Sequence, residues 1–338
     1  MRIAMTFKPA WWLNNPHLQT MYPALLRRLP GPASIRRERL ETPDHDFLDI
    51  DHCGTGDSPL VILLHGLTGS SRSGYIKGLQ RALLQHGLRS CALNFRGCSG
   101  QPNRTARCYH SGETGDVQFL YETLRRREPD TPFAAAGFSL GGNVLLKWLG
   151  EQRDKVLLFA AVAVSVPFDL AICANKMDTG FSRIYRNNLI RDLLRYVQSK
   201  QRHLKAIGQH REAEKIRQLG DLSRIRSFWE YDDRVVAKLH GFKNVHDYYR
   251  RCSSRQFLKT ITVPTLLVQA IDDPFMTREV IPGTDELSSA VHLEITESGG
   301  HVGFVSGKLP FQAQYWLDQR ISDFFTAAAV PGLVQHPL

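Results

Sequence analysis

No apolar run in this chain approaches the roughly 20 residues that a membrane-spanning helix requires, and Met1 to Trp12 lacks the continuous apolar stretch of a secretory signal. CxxC pairs are also missing: the six cysteines, at positions 53, 91, 98, 108, 173 and 252, are irregularly spaced. That spacing suggests neither a zinc site nor a disulfide framework, so a reducing, cytoplasmic setting is expected. No GK[ST] follows a glycine-rich loop, which removes the P-loop nucleotide binders. Internal repeats and low-complexity tracts are absent too.

What remains is 338 residues, 42% of them hydrophobic, enough for one large domain or one domain carrying an insertion. The formal charge of +10 is concentrated: residues 176–260 hold 20 Lys and Arg against nine Asp and Glu, and the rest is about neutral. Such a region can meet anionic lipid head groups or acidic substrates. No nucleic-acid-binding motif accompanies it and the basic residues are scattered singly, so nucleic acid is not an expected partner.

Short apolar runs bounded by Gly, Pro or polar clusters alternate with helical patterns, which predicts a mostly parallel sheet with helices on both faces. Buried strands are expected at Val61–Leu64, Ser90–Phe95, Phe133–Phe138, Leu157–Val164, Thr265–Ala270 and Val291–Ile295. Ile35–Thr42 and Phe47–His52, with a turn at Pro43 and Asp44, read as an antiparallel edge hairpin. Helices should begin near Gly74, Glu113 and Leu140, with a last one over Phe311–Phe325. Between Phe168 and Val263 the alternation stops. Apolar residues at helical spacing there (Ile184, Leu189, Leu193, Val197; then Trp229, Val235, Leu239) predict a helical lid, residues 169–262, inserted in a core formed by 1–168 and 263–338.

Residues 136–143 read AGFSLGGN, a GxSxG motif that follows an apolar strand and opens a helix. This is the context of a nucleophile elbow, in which a sharp strand-to-helix turn lifts a serine hydroxyl above the sheet. Ser139 is the candidate nucleophile; an aspartate would be needed there for a dehalogenase. Attack on an ester or amide places negative charge on the carbonyl oxygen, which requires two backbone N–H donors. The helix-opening amide of Leu140 is one. The loop HGLTGS after Val61–Leu64 supplies the other, at Leu67.

A serine hydroxyl needs a histidine to take its proton and a carboxylate to fix that imidazole. Of 13 histidines, His301 in ESGGHVGF lies just past the last expected strand, with His110 and His65 as runners-up. The penultimate strand runs into IDDPF, and neighbouring extended residues face opposite ways, so one aspartate of the pair can face His301. Asp273 is chosen and Asp272 assigned to the turn; Asp169, one strand earlier, is the outside candidate. The order Ser139, Asp273, His301 is the one this arrangement carries in sequence. No cofactor and no metal is expected.

The blocks WWLNNPHLQTMYP, LLHGLTGSSRSGYIKGL, NFRGCSG, YHSGETGD, GFSLGGNVLLKWLGE, SVPFDL, DDPF and GGHVGF together resemble the YheT-like branch of the α/β-hydrolases, related to the abhydrolase domain-containing proteins one and three of animals. The resemblance implies an α/β-hydrolase fold and a carboxylic ester hydrolase acting on a small-molecule ester, with animal relatives using acylglycerols or phospholipids. Carried over residue by residue, it places the triad on Ser139, Asp273 and His301. Most of 176–260 matches no motif of the branch, and the basic lid offers a transient contact with an anionic lipid surface. The same triad would serve a thioesterase or acyltransferase, and the fold alone would serve a binding protein.

Overall fold

The computed structural model describes residues 7–27, 35–310 and 312–329. Eight strands form one sheet: β1 (Ile35–Glu41), β2 (Phe47–Cys53), β3 (Leu60–Leu64), β4 (Arg89–Asn94), β5 (Phe133–Phe138), β6 (Leu158–Val164), β7 (Thr265–Ala270) and β8 (Val291–Thr296). Their spatial order is β1-β2-β4-β3-β5-β6-β7-β8. The β1–β2 hairpin is antiparallel and adds antiparallel to β4; every later pairing is parallel. The expected edge hairpin and buried strands are therefore present, with shifts of a residue or two at their ends. Arg89 enters the ladder opposite Leu60, whereas Phe95 has already left it.

The chain alternates faces along each strand, which is why both faces of the sheet are apolar. Leu60, Ile62 and Leu64 pack with Val117, Leu120 and Leu145 on one side. Val61 and Leu63 pack with Ile76, Leu83 and Ile321 on the other. Helix α1 (Pro16–Leu26) precedes the sheet, with Pro16 at its first position and Asn15 capping the amides of His17 and Leu18. The helices α2 (Gly74–Gln85), α3 (Gly115–Arg127) and α4 (Leu140–Gln152) follow β3, β4 and β5. The helix expected at Glu113 starts two residues later. The final helix, α11, runs Trp316–Ala329 rather than Phe311–Phe325, because Gln314–Tyr315 pairs as a short strand with Val305–Ser306; Phe311 lies outside the described residues, as do the first six residues of the Met1–Trp12 stretch.

Between β6 and β7 lie α5 (Leu170–Met177), α6 (Ser182–Ala206), α7 (His210–Arg217), α8 (Phe228–Tyr231), α9 (Lys238–His240) and α10 (Val245–Cys252). The turn joining α8 to α9, Asp232–Ala237, is a π-helix. These helices share an apolar cluster of their own, including Ile190, Leu193, Val197, Val235 and Tyr248. They are fastened to the sheet by polar contacts. The Asn143 side chain in α4 donates to the carbonyls of Ser111 and Cys252 and accepts from the Ser254 amide. The Tyr196 hydroxyl donates to the Arg96 carbonyl at 2.9 Å. No helix among the described residues is long and apolar enough to cross a membrane.

Candidate active site

Ser139 lies between β5 and α4 with φ 51° and ψ −120°, a backbone conformation that L-residues avoid. The turn is held from both sides: the Ser139 amide donates to the Val164 carbonyl at 2.8 Å, and its carbonyl accepts from the Asn143 amide at 3.0 Å. Close packing demands glycine beside it. A Cβ on Gly141 would fall 2.5 Å from the carbonyl oxygens of both Leu64 and His65, and one on Gly137 would strike the Gly141 carbonyl. The hydroxyl consequently stands at the carboxyl end of the sheet, facing a cavity.

His301 follows β8, and Asp273 follows β7. The structure brings both to Ser139: His301 Nε2 lies 2.9 Å from Ser139 Oγ, and His301 Nδ1 lies 2.8 Å from Asp273 Oδ2. Asp273 is buried, and its second oxygen accepts from the Phe275 amide at 2.8 Å. The Phe275 ring lies flat against the imidazole, with ring centres 4.0 Å apart and planes 8° from parallel. Asp272 accepts instead from the Gly300 amide at 2.9 Å, which shapes the histidine loop; burial raises its carboxyl pKa.

The other sequence candidates have different work. His65 is fully buried; Nδ1 donates to the Gly66 carbonyl at 2.8 Å and Nε2 accepts from the Phe95 amide at 3.1 Å. Both nitrogens are used, so the ring locks the loop after β3, and burial lowers its pKa to about 4. Asp169 caps α5 through the amides of Ala171 and Ile172. Burial, with Arg107 and Lys147 nearby, lowers His110 to about 3. His110, Glu113 and His240 each place a ligand atom within 4.8 Å of the others. A cation there would have to displace Arg107, which donates to both Glu113 oxygens at 2.7 Å, and His110 Nδ1, which accepts from the Gly112 amide, is already engaged.

Neither the Leu67 amide nor the Leu140 amide donates to another described group. Leu140 opens α4, where the first amides have no partner inside the helix. Both residues line a cavity of about 750 Å³ together with Ser139 and His301. Helix α6 supplies part of its lining through Ile184, Tyr185 and Leu189.

Two residues that sequence reasoning missed hold the histidine loop from α1. Thr20 Oγ1 accepts from the His301 amide at 2.9 Å. The Gln19 side chain donates to the Val305 carbonyl at 2.9 Å and accepts from its amide at 2.7 Å. Their signal was the block WWLNNPHLQTMYP, but a partner more than 280 residues away cannot be read from it.

A family model described as the alpha/beta hydrolase fold matches residues 59–308. The chain belongs to the α/β-hydrolases. It is 40% identical over 324 residues to YheT of Escherichia coli (strain K12), whose name proposes an esterase, across 95% of this chain and 93% of that one. It is 28% identical over 344 residues to phospholipase ABHD3 of Homo sapiens, across 99% and 80%. The monoacylglycerol lipase of Saccharomyces cerevisiae is 31% identical over 275 residues, across 80% of this chain and 59% of that protein. The solved esterase Pf2001 of Pyrococcus furiosus superposes with a TM-score of 0.54 at 17% identity, covering 86% of this chain and 92% of that one, a likeness of fold alone. This α/β-hydrolase is thus of the esterase and lipase type, in the YheT-like branch.

Proposed function

We propose that this α/β-hydrolase cleaves carboxylic esters through an acyl-enzyme at Ser139, acting on short- to medium-chain esters or on acylglycerols or phospholipids. The observation that carries the reading is the chain of two hydrogen bonds, 2.9 and 2.8 Å, from Ser139 through His301 to Asp273. His301 Nε2 takes the hydroxyl proton as Oγ attacks the ester carbonyl carbon. The Leu67 and Leu140 amides receive the oxyanion, and Asp273 holds the imidazole tautomer and stabilises the imidazolium. Collapse of the tetrahedral intermediate breaks the bond to the alcohol oxygen, which leaves with the proton from His301. Water, deprotonated by the same nitrogen, then attacks the acyl carbon and releases the acid.

Residues 169–262 serve as the lid over this site, with 1–168 and 263–338 as the core. Their helices line the same cavity as the nucleophile, which supports that division. Hydrolysis measured over a series of acyl lengths tests the proposal. Activity should peak at a chain that fills the cavity, and Ser139→Ala should lower kcat by about a million-fold. Full activity retained in that variant overturns it.

A further inference from the structure

Two acidic side chains that line the cavity, Asp192 and Asp232, take no part in that mechanism, and Asp192 is paired with Arg195. Asp232, the first residue of the π-helical turn between α8 and α9, lines the same cavity as Ser139 and His301. Its Oδ2 accepts from the Tyr249 hydroxyl at 2.7 Å; its other oxygen accepts no hydrogen bond from any described group. That oxygen is not sealed in protein either, since it keeps accessible surface, and the residue that carries it lines the cavity. The wall around it is built of Phe228, Tyr231, Val236 and Tyr248.

A carboxyl placed among such rings with a single hydrogen bond is costly, since enclosure strips its water without supplying partners. Among the described residues no basic side chain offsets that cost; burial is the cause that pushes its pKa up, to about 7, against the Tyr249 hydrogen bond. The adjoining Asp233 accounts for itself by accepting from the Val245 amide at 3.0 Å. Asp232 has the Tyr249 hydroxyl on one oxygen and no described partner on the other. A π turn adds a residue to a helix and re-aims the side chains at its start, and such turns are frequent at functional sites.

We propose that Asp232 determines substrate specificity: its cavity-facing oxygen forms a polar subsite that receives a hydroxyl group carried by the ester. A hydroxyl matches a carboxyl that can both accept and donate. It also sheds its hydration at far less cost than a cation would on entering this aromatic wall. The proposal rests on the esterase reading, because the subsite shares its cavity with Ser139.

The test compares matched esters within each variant, so that loss of active protein cancels. The acyl arm is p-nitrophenyl octanoate against its ω-hydroxy and ω-amino derivatives; the alcohol arm is propyl octanoate against hydroxyethyl octanoate. Wild type should prefer the hydroxylated member of one arm by about tenfold in kcat/KM, carried by KM. Asp232→Leu should abolish or invert that preference while still cleaving the unsubstituted ester. Asp232→Asn, which can still accept from Tyr249, should keep part of it. An unchanged ratio in Asp232→Leu, no hydroxyl preference in either arm, or a stronger preference for the amine overturns the proposal. Failure of the esterase reading is distinguished by calorimetry in a Ser139→Ala background, where octanediol should still bind more tightly than octanol and Asp232→Leu should remove the difference.

Discussion

The carboxyl end of the sheet and the helices between β6 and β7 hold their side chains in place by different means. At the sheet end, position is set by backbone: a residue at φ 51°, glycines at which a Cβ would strike neighbouring carbonyls, and loops pinned by amide hydrogen bonds. In the helical interval, position is set by an apolar cluster and by a few long polar ties such as Tyr196 and Asn143. The first arrangement tolerates almost no substitution and fixes atoms that must meet to within tenths of an ångström. The second can change its cavity wall without disturbing them, which is where a family can vary its substrates.

The sharpest way to break the comparison is to alter the sheet end without altering its shape. Asp273→Asn keeps the hydrogen bonding in place but favours the wrong tautomer of His301. kcat should fall by about 10⁴-fold while the melting temperature stays within a few degrees, and steady-state kinetics with thermal unfolding read both. A loss of activity matched by loss of fold would mean that Asp273 is structural.

Next in size is the buried ion cluster beneath the hairpin. Arg96 donates to Asp116 at 2.7 and 2.8 Å and to Asp44 and Asp46, almost wholly out of water. Arg96→Leu leaves the buried Asp116 carboxylate without its guanidinium, while Asp46 keeps Asn103 and Thr105 and Asp44 keeps Thr42, and should cost about 3–5 kcal/mol in urea unfolding. A cost below about 1 kcal/mol would show that the cluster is solvated in solution.

A pH titration separates the regions in another way. His65 is neutral in the fold, with its pKa lowered to about 4 from the ordinary 6.5. Below about pH 6.5 the unfolded ring takes a proton that the native ring refuses until about pH 4, so stability is full above that window and lost as pH falls through it. The share from His65 is roughly 3 kcal/mol. His110 and His240, lowered to about 3 and about 2, act with the same sign. His65→Gln should therefore flatten the fall between about pH 6.5 and pH 4 only in part, and an unchanged slope would contradict the neutral assignment.

The smallest effect sharpens the view of the interval. Tyr196→Phe removes one tie between α6 and the sheet and should cost about 1 kcal/mol. Amide exchange should quicken in α6 before it does in β5, and equal changes in both would show that the two regions open as one unit.

Much of the sheet end was legible in the sequence, since its signals are local. Apolar runs mark Leu60–Leu64 and Phe133–Phe138, and GFSLG marks its own turn because only certain residues fit there. Strand order added Asp273 and His301. Thr20, Gln19 and Asn143 were not legible as contacts, because each acts on a partner far along the chain and a polar side chain does not advertise its mate. The helical interval gave its helices but not the use of Asp232, since periodicity reports which face is buried and not which wall faces a cavity.

The triad requires that Ser139, and no other serine, be made nucleophilic by His301. A fluorophosphonate added to the folded protein, followed by peptide mass mapping, tests it most directly. A single phosphonyl adduct on Ser139 that disappears in His301→Ala is expected; no adduct, or one on another residue that persists in that variant, would rule out the triad.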